Sequence, residues 1–200
     1  PLRQLNRLSI GPRVGTLGPG LELGVRPFQP INLRVTGNYF KHNFNGTYDD
    51  IKYDVDVTWT TGGALVDIHP FPLGFRFTLG AFANHNRIDL QAEPDIAYVI
   101  GNQVYDGADL ASITGDVSFD PIAPYFGLGW GSSGYSRIYF SVDVGLMYQG
   151  SAKVRLDATG IATTYAGFYE ELERERQNIE DDIDEHKWYP VVMIGFGFTF

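Results

Sequence analysis

The segment WYPVVMIGFGFTF, residues 188–200, alternates large apolar side chains with small ones. Ile194, Phe196, Phe198 and Phe200 fall on one face of a strand, because successive side chains of a strand point to opposite sides. A face of this kind would be prone to aggregate if water covered it. The segment therefore predicts a strand whose large side chains meet an apolar solvent.

The same period of two recurs along most of the sequence and is its main structural signal. Leu21, Leu23 and Val25, for example, alternate with Glu22 and Gly24. Several runs exceed ten residues, close to the roughly 9–11 residues with which a tilted strand crosses a bilayer. Seven strands are predicted, over residues 10–26, 31–44, 53–68, 74–90, 112–131, 136–156 and 188–200.

The composition excludes several classes of protein. A formal net charge of −9 provides no basic face for nucleic acid. The absence of cysteine excludes a disulfide framework and a thiolate metal site. No stretch supplies the roughly 20 apolar residues that a membrane-spanning helix needs. Long strands with one apolar face and one face of glycine and charge instead indicate a closed barrel, with lipid outside and a polar lumen.

The lengths of the connections support this interpretation. Short connections occur at 26–30, 69–74 and 131–136, and they alternate with long polar segments. Outer-membrane barrels have short periplasmic turns and long extracellular loops. The long segments at about 43–53, 86–120 and 150–187 are therefore predicted to lie outside the cell.

Bacterial barrels made from one chain have an even number of strands, so seven predicted strands require an eighth. Residues 1–9, or a segment before Pro1, could supply it. A turn at 120–124 could instead split the fifth strand, or Gln149 and Gly150 could turn the sixth strand back. The predicted fold is an all-β, antiparallel, up-and-down transmembrane barrel of about eight strands, which occupies residues 1–200 as a single domain.

One segment has helical rather than strand periodicity. Phe168, Leu172, Ile179 and Ile183 are spaced by four, seven and four residues among mostly charged positions. This spacing predicts an amphipathic helix over about 166–187, inserted in the last long loop. Its narrow apolar stripe favours a polar cap packed on the barrel rim, and a partner-binding or plug helix is the alternative.

The final strand resembles that of the small outer-membrane β-barrel proteins of Gram-negative bacteria, the group that includes outer-membrane proteins A and W. In that group the last strand carries a polar–x–Gly–x–x–apolar–x–apolar signal, which the barrel assembly machinery reads. Gly195, Phe198 and Phe200 match this signal, and Met193 stands at its polar position. Residues 14–28, 123–131 and 140–151 also look like segments of this family.

This resemblance implies a Gram-negative outer membrane as the location, with the C-terminus in the periplasm. It also implies outer-membrane lipid and lipopolysaccharide as surroundings, and the barrel assembly machinery as a partner of the C-terminal strand. A further protein partner could bind the extracellular loops or the helix at 166–187. No nucleic acid is expected as a partner.

The lumen is the first candidate site. An eight-stranded barrel is just wide enough for its own side chains to fill. Opposite charges buried in so narrow a space are expected to pair. The predicted result is a lumen plugged by ion pairs, and the alternative is a narrow channel for small or hydrophobic solutes. The residues assigned to this network by strand alternation are Glu22, Arg34, Asp54, Asp56, Arg76 and Asp143.

Sequence patterns for catalysis and for metal binding are weak. Some barrels of this kind modify lipid A with a rim histidine, a serine and an acid, and the four histidines here are His42, His69, His85 and His186. No Gly-x-Ser-x-Gly elbow and no His-x-Ser pair accompanies them. The carboxylates at 48–56 and 180–186 lack the spacing of a calcium loop. We therefore expect a protein with a structural or interaction role, without enzymatic activity, cofactor or metal.

Overall fold

The computed structural model describes residues 8–48, 51–71, 74–94, 98–131, 137–184 and 187–200. Most of these residues form one antiparallel sheet, which closes into a barrel of eight strands, and the single α-helix lies late in the chain. The predicted fold class is therefore confirmed. Among the described helices, none has the length and apolarity to cross a membrane.

The elements follow one another as strands with two short 3₁₀ helices and one α-helix near the end. Their bounds are β1 Leu8–Gly15, β2 Gly20–Phe28, β3 Ile31–Tyr48, β4 Ile51–Ile68, β5 Phe75–Asn84, β6 Arg87–Pro94, β7 Tyr98–Ile100, β8 Gln103–Tyr105, a 3₁₀ turn Gly107–Asp109, β9 Ser112–Ser118, β10 Ile122–Gly131, β11 Ile138–Tyr148, β12 Lys153–Thr159, a 3₁₀ turn Ile161–Thr164, α1 Phe168–Asp184 and β13 Trp188–Thr199.

The barrel wall consists of β1, β2, β3, β4, β5, β10, β11 and β13, and it closes where β13 pairs with β1. The eighth strand comes from the predicted segment 10–26, which is a hairpin and not one strand. Gly18 makes its turn possible with a φ of +84°, a left-handed conformation that side chains disfavour. None of the three expected sources of the eighth strand supplied it.

Three of the predicted long strands are bent rather than ended by turns. The segments 74–90, 112–131 and 136–156 break at 85–86, 119–121 and 149–152. Strand pairing nevertheless continues across these breaks. β4 pairs with β5 and then with β6, and β9 pairs with β6 in the same way as β10 pairs with β5. The wall thus continues beyond the barrel as an extension sheet, formed by residues 41–48 of β3, residues 51–58 of β4, and by β6, β9 and β12.

The connections divide between the two ends of the barrel as predicted, except for the short β1–β2 turn at 16–19, which lies at the end of the long segments. The short connections between β2 and β3, between β4 and β5 and between β10 and β11 lie at the opposite end. Leu8 and Phe200 meet at that same end, where the amide of Leu8 donates to the carbonyl of Phe200 at 3.1 Å. The three long segments lie at the other end and build the extension sheet with its helix.

Apolar and polar side chains alternate along the wall strands, and the face that carries the apolar side chains changes where the extension sheet begins. On the barrel, the outward side chains are apolar, as Val66 and Ile68 of β4 show with 39% and 38% exposure. The inward Leu65 and Asp67 are buried. Beyond the barrel the same strand carries Val57 on the inward face, where it is buried, while the outward face becomes polar.

The predicted helix is present, with α1 within the expected range. Its residues Phe168 and Leu172 are buried, and Phe168 packs its ring 5.1 Å from that of Tyr105. The helix lies mainly against β12 of the extension sheet, and it also contacts the 3₁₀ turn Ile161–Thr164 and β7. The apolar cluster it joins comprises Ile100, Tyr105, Leu110, Ile113, Ala162, Phe168 and Leu172.

Candidate functional site inside the barrel

Six charged side chains from six different wall strands meet in the lumen. Each is inward by strand alternation and each is at most 5% exposed. The three arginines and three carboxylates balance in formal charge. We call this group the lumen cluster: Arg13 of β1, Glu22 of β2, Arg34 of β3, Asp67 of β4, Arg76 of β5 and Asp143 of β11.

Arg34 is the centre of the lumen cluster. Its Nη1 donates to Glu22 Oε2 at 2.8 Å and to Asp143 Oδ2 at 3.0 Å, and its Nη2 donates to Asp67 Oδ1 at 2.8 Å. Arg76 Nη2 donates to Asp143 Oδ1 at 2.7 Å, and Arg13 Nη1 donates to Glu22 Oε2 at 3.1 Å. Charge-assisted bonds of this geometry offset the cost of removing six charges from water.

Glycine makes room for these side chains. A Cβ atom on Gly129 would lie 2.5 Å from Arg76 Nε and 2.7 Å from Asp143 Oδ1. One on Gly127 would lie 2.3 Å from the hydroxyl oxygen of Tyr125. Glycines on the inward face of the wall therefore leave the space that the long arginine and tyrosine side chains fill.

A second layer inside the barrel is apolar. It lies on the side of the lumen cluster toward the extension sheet, and its ring contact between Phe82 and Tyr125 is edge-on at 5.4 Å. Sequence reasoning missed this layer, because it assigned apolar positions of the wall strands to lipid. The apolar layer comprises Leu17, Leu65, Phe82, Ala123, Tyr125, Met147, Val191 and Met193.

Of the six predicted lumen residues, the structure brings together Glu22, Arg34, Arg76 and Asp143. Asp54 and Asp56 are a correction: they lie on the outward face of the extension sheet, where the side-chain amide of Asn43 donates to them at 2.6 and 3.2 Å. The reason is the change of phase in β4, because the apolar face of this half-strand turns inward instead of toward the apolar surroundings of the wall.

Two members of the lumen cluster were missed, each for a different reason. Arg13 was assigned to no face because 10–26 was interpreted as one strand. Asp67 is flanked by Val66 and Ile68, and that alternation alone would have placed it inward.

The outward face of the extension sheet carries charges in register across five strands. One row is Lys41, Thr58, Arg87, Ser118 and Lys153, and the next is Asn43, Asp56, Asp89, Asp116 and Arg155. The carboxylate of Asp89 accepts a hydrogen bond from Arg87 Nε at 2.6 Å, and this bond raises the pKa of the guanidinium of Arg87. A groove of about 310 Å³ runs along the second row, and Arg87 is the member of the first row that lines it.

The described histidines occupy separate places. His42 is exposed on β3, with its ring 4.3 Å from that of Phe44. His69 lies in the turn after β4, with Nδ1 3.3 Å from the carbonyl oxygen of Pro30. The backbone amide of His85 donates to the carbonyl of Thr60 at 2.9 Å. His186 lies outside the described residues, and within those residues no group of three or more potential ligands could hold a metal ion.

The proposed assembly signal lies on β13. Phe198 and Phe200 point outward with 52% and 70% exposure, whereas Gly195 faces the lumen. A Cβ atom on Gly195 would lie 2.7 Å from Ser141 Oγ. The alternation predicted for the final strand is therefore present, with the large side chains outside.

Comparison with known proteins found similar solved structures. A crystal structure of Acinetobacter baumannii CarO2 matches with a TM-score of 0.66 and 24% identity, over 99% of this chain and 100% of that one. A crystal structure of Acinetobacter baumannii CarO matches with a TM-score of 0.65 and 25% identity, over 97% and 98% of the two chains. No protein-family model matches, and no curated protein does.

CarO is an outer-membrane barrel of eight strands. The likeness therefore supports an outer-membrane barrel protein, with a Gram-negative outer membrane as its location. The resemblance to the group of outer-membrane proteins A and W stays an expectation, because no family model bears on it.

Proposed function

We propose that this protein is a closed outer-membrane barrel that holds the extension sheet and its helix outside the cell as an interaction surface. The lumen cluster carries the proposal, because Arg34 bonds to carboxylates of three other strands and so ties opposite sides of the wall together. The apolar layer adds a second obstruction on the side of the extension sheet. These two layers, built from the described residues, support a lumen that is closed to solutes.

The orientation follows from the two ends of the barrel. The short connections and the C-terminal end of β13 belong on the periplasmic side, and the extension sheet on the outer side, as in other outer-membrane barrels. Phe198 and Phe200 point into the lipid, whereas Gly195 faces the lumen. This arrangement fits recognition of β13 by the barrel assembly machinery.

Planar-bilayer recording tests whether the lumen is closed. The purified barrel should give no conductance steps under conditions in which a trimeric porin gives them readily. The double variant Arg34→Ala, Phe82→Ala removes the centre of the lumen cluster and a fully buried ring of the apolar layer, and it should produce small steps. Frequent steps from the unmodified protein would contradict a closed lumen.

A narrow channel is the second candidate, and one observation favours it. The hydroxyl groups of Thr36, Tyr139 and Ser141 are buried in the lumen and have no hydrogen-bond partner among the described residues. Buried hydroxyls of this kind are commonly satisfied by ordered water. Water beside the lumen cluster would be the starting point of a path, which conductance with Arg34 intact would reveal.

Display of the extension sheet is tested on intact cells. Thr114→Cys, on the outward face of β9, should react with a membrane-impermeant maleimide, because that residue is exposed. A cysteine at position 30, in the short turn before β3, should react only after the outer membrane is permeabilised. The reverse pattern would overturn the proposed orientation.

A further inference from the structure

A row of three cations lies directly above the apolar outer wall of the barrel. Strand register places Lys41, Arg87 and Lys153 in one line across the extension sheet, with Thr58 and Ser118 between them. We call Lys41, Arg87 and Lys153 the cation row. Because every second strand contributes one member and neighbouring strands are about 4.8 Å apart, adjacent cations are roughly 10 Å apart.

The cation row begins where the outer wall stops being apolar. Outward positions of β5 below Arg87 are Leu79, Ala81 and Ala83, with Leu79 56% exposed, and the exposed His85 lies between Ala83 and Arg87. Below Lys41 the outward position of β3 is Tyr39, which is 58% exposed. When hydrocarbon covers that wall, the next outward row lies at the level of the lipid headgroups.

The three cations keep donors available for a ligand. Their side chains are 53%, 52% and 60% exposed for Lys41, Arg87 and Lys153. Lys41 has Asp56 at 3.8 Å and Lys153 has Asp120 at 2.9 Å, and Arg87 has two acidic neighbours, Asp89 at 2.6 Å and Asp116 at 3.8 Å. A lysine has three N–H donors and an arginine five, so these contacts leave several donors of each group free to bind an anion.

The aspartate row fixes the depth at which an anion can bind. Asp56, Asp89 and Asp116 stand side by side one step farther from the barrel. Like charges directly opposite one another repel, and they also repel an anion that moves outward from the cation row. The cation row therefore attracts an anionic group at the boundary between the apolar wall and the three aspartates, and Arg155 stands beside Asp116 at the end of the next row.

We propose that the cation row binds phosphate groups of lipid A, the membrane-embedded part of lipopolysaccharide, in the outer leaflet. The inference rests on the proposed function, which places the extension sheet outside the cell. Lipid A suits the site because its acyl chains can lie along the apolar wall while its two phosphates reach separate cations. A phospholipid with one phosphate can engage only one member of the row at a time.

The test is native mass spectrometry of the intact barrel, released from detergent micelles with increasing lipid A. The unmodified protein should bind diphosphorylated lipid A more tightly than the dephosphorylated lipid. The variant Lys41→Gln, Lys153→Gln should bind the diphosphorylated lipid roughly thirtyfold more weakly, the loss expected for two cations near an anionic surface.

A charge-matched control separates a defined site from general attraction. Arg174→Gln, Arg176→Gln removes two positive charges from the exposed side of α1, where they pair with Glu171 and Glu173. This variant should bind within about twofold of the unmodified protein. Heat-dependent migration in gels checks that both variants are folded.

Three outcomes would overturn the proposal: equal loss in both variants, equal binding of dephosphorylated lipid A, or equal binding of phosphatidylglycerol. The first would indicate attraction by net charge, the second binding by acyl chains alone, and the third an unselective anionic lipid surface. Cysteine labelling in cells tests the proposed function without added lipid A, so the two conclusions can fail separately.

Discussion

Arg34 and Asp143 are 109 positions apart in the sequence, and their side chains form a two-pronged ion pair across the barrel. Arg34 Nη1 donates to Asp143 Oδ2 at 3.0 Å, and Nη2 donates to Asp143 Oδ1 at 3.2 Å. Both side chains are at most 5% exposed. The pair joins β3 to β11, two strands that share no hydrogen-bonded edge, so it braces the wall from within.

Removal of Arg34 should destabilise the barrel strongly. Arg34→Ala leaves Glu22, Asp67 and Asp143 buried without their central partner, and breaking a buried pair costs roughly 3–5 kcal/mol. Urea unfolding in micelles, followed by tryptophan fluorescence, measures the change. Arg174→Ala is the control, because Arg174 is 46% exposed in its pair with Glu171 and the loss should stay below about 1 kcal/mol. Similar midpoints for the two variants would refute a bracing role.

Enlarging Gly129 should disturb the lumen cluster. Gly129→Ala places a methyl group 2.5 Å from Arg76 Nε, and overpacking of this kind costs roughly 1–3 kcal/mol. Gly37→Ala on β3 is the matched control, since its Cβ meets nothing within 4 Å and lies on the outer face. The same unfolding measurement applies, and a loss in the control as large as that for Gly129→Ala would contradict the packing argument.

The elements around α1 should lose structure while the barrel stays folded when the apolar cluster beneath the helix is emptied. Phe168→Ala removes a fully buried ring, a change that costs roughly 3–5 kcal/mol in a core. Hydrogen exchange should accelerate in β7, β8 and α1 and stay slow in the wall strands. Tyr169→Ala is the control, because that neighbour is 66% exposed. Faster exchange in the wall strands of Phe168→Ala would show that the two parts unfold together.

Acid should weaken the turn after β4. Burial lowers the pKa of His69 below its ordinary value of 6.5, and the nearby cation Arg26 lowers it further. Below pH 6.5 the unfolded chain then binds a proton that the folded chain resists, so the free energy of unfolding falls as the pH decreases. NMR titration of the imidazole, assigned with His69→Gln, should give a midpoint below 6.5. A midpoint above that value would reverse the sign of the effect.

Strand alternation was enough to predict the barrel, because a strand face that stays apolar over more than ten residues is explained by lipid outside the wall. It was not enough to place Asp54 and Asp56. Their half of β4 still alternates, but its apolar residues, such as the buried Val57, lie on the inward face instead of facing the surroundings of the wall. The sequence does contain a signal for this: the apolar positions of β4 change from odd to even between Trp59 and Ala64.

The hairpin of β1 and β2 was harder to predict than the other wall strands. Its turn occupies only residues 16–19, and Leu17 within it is apolar, so the alternation continues through the turn without an evident break. Leu17 is fully buried because it closes the apolar layer from above. A turn whose apolar residue is also part of the core cannot be recognised by polarity. The two glycines around Pro19 were the available indication of this turn.

Five wall strands continue into the extension sheet, while β1, β2 and β13 end at the rim of the barrel. The wall is therefore taller on one side of the barrel than on the other. A large molecule that arrives from the extension end therefore reaches the rim from one flank. A fluorophore attached at Thr16, on the low side, should respond when the molecule reaches the rim, whereas one on the extension sheet should respond when it contacts the tall side, so comparing the two would reveal the direction of approach.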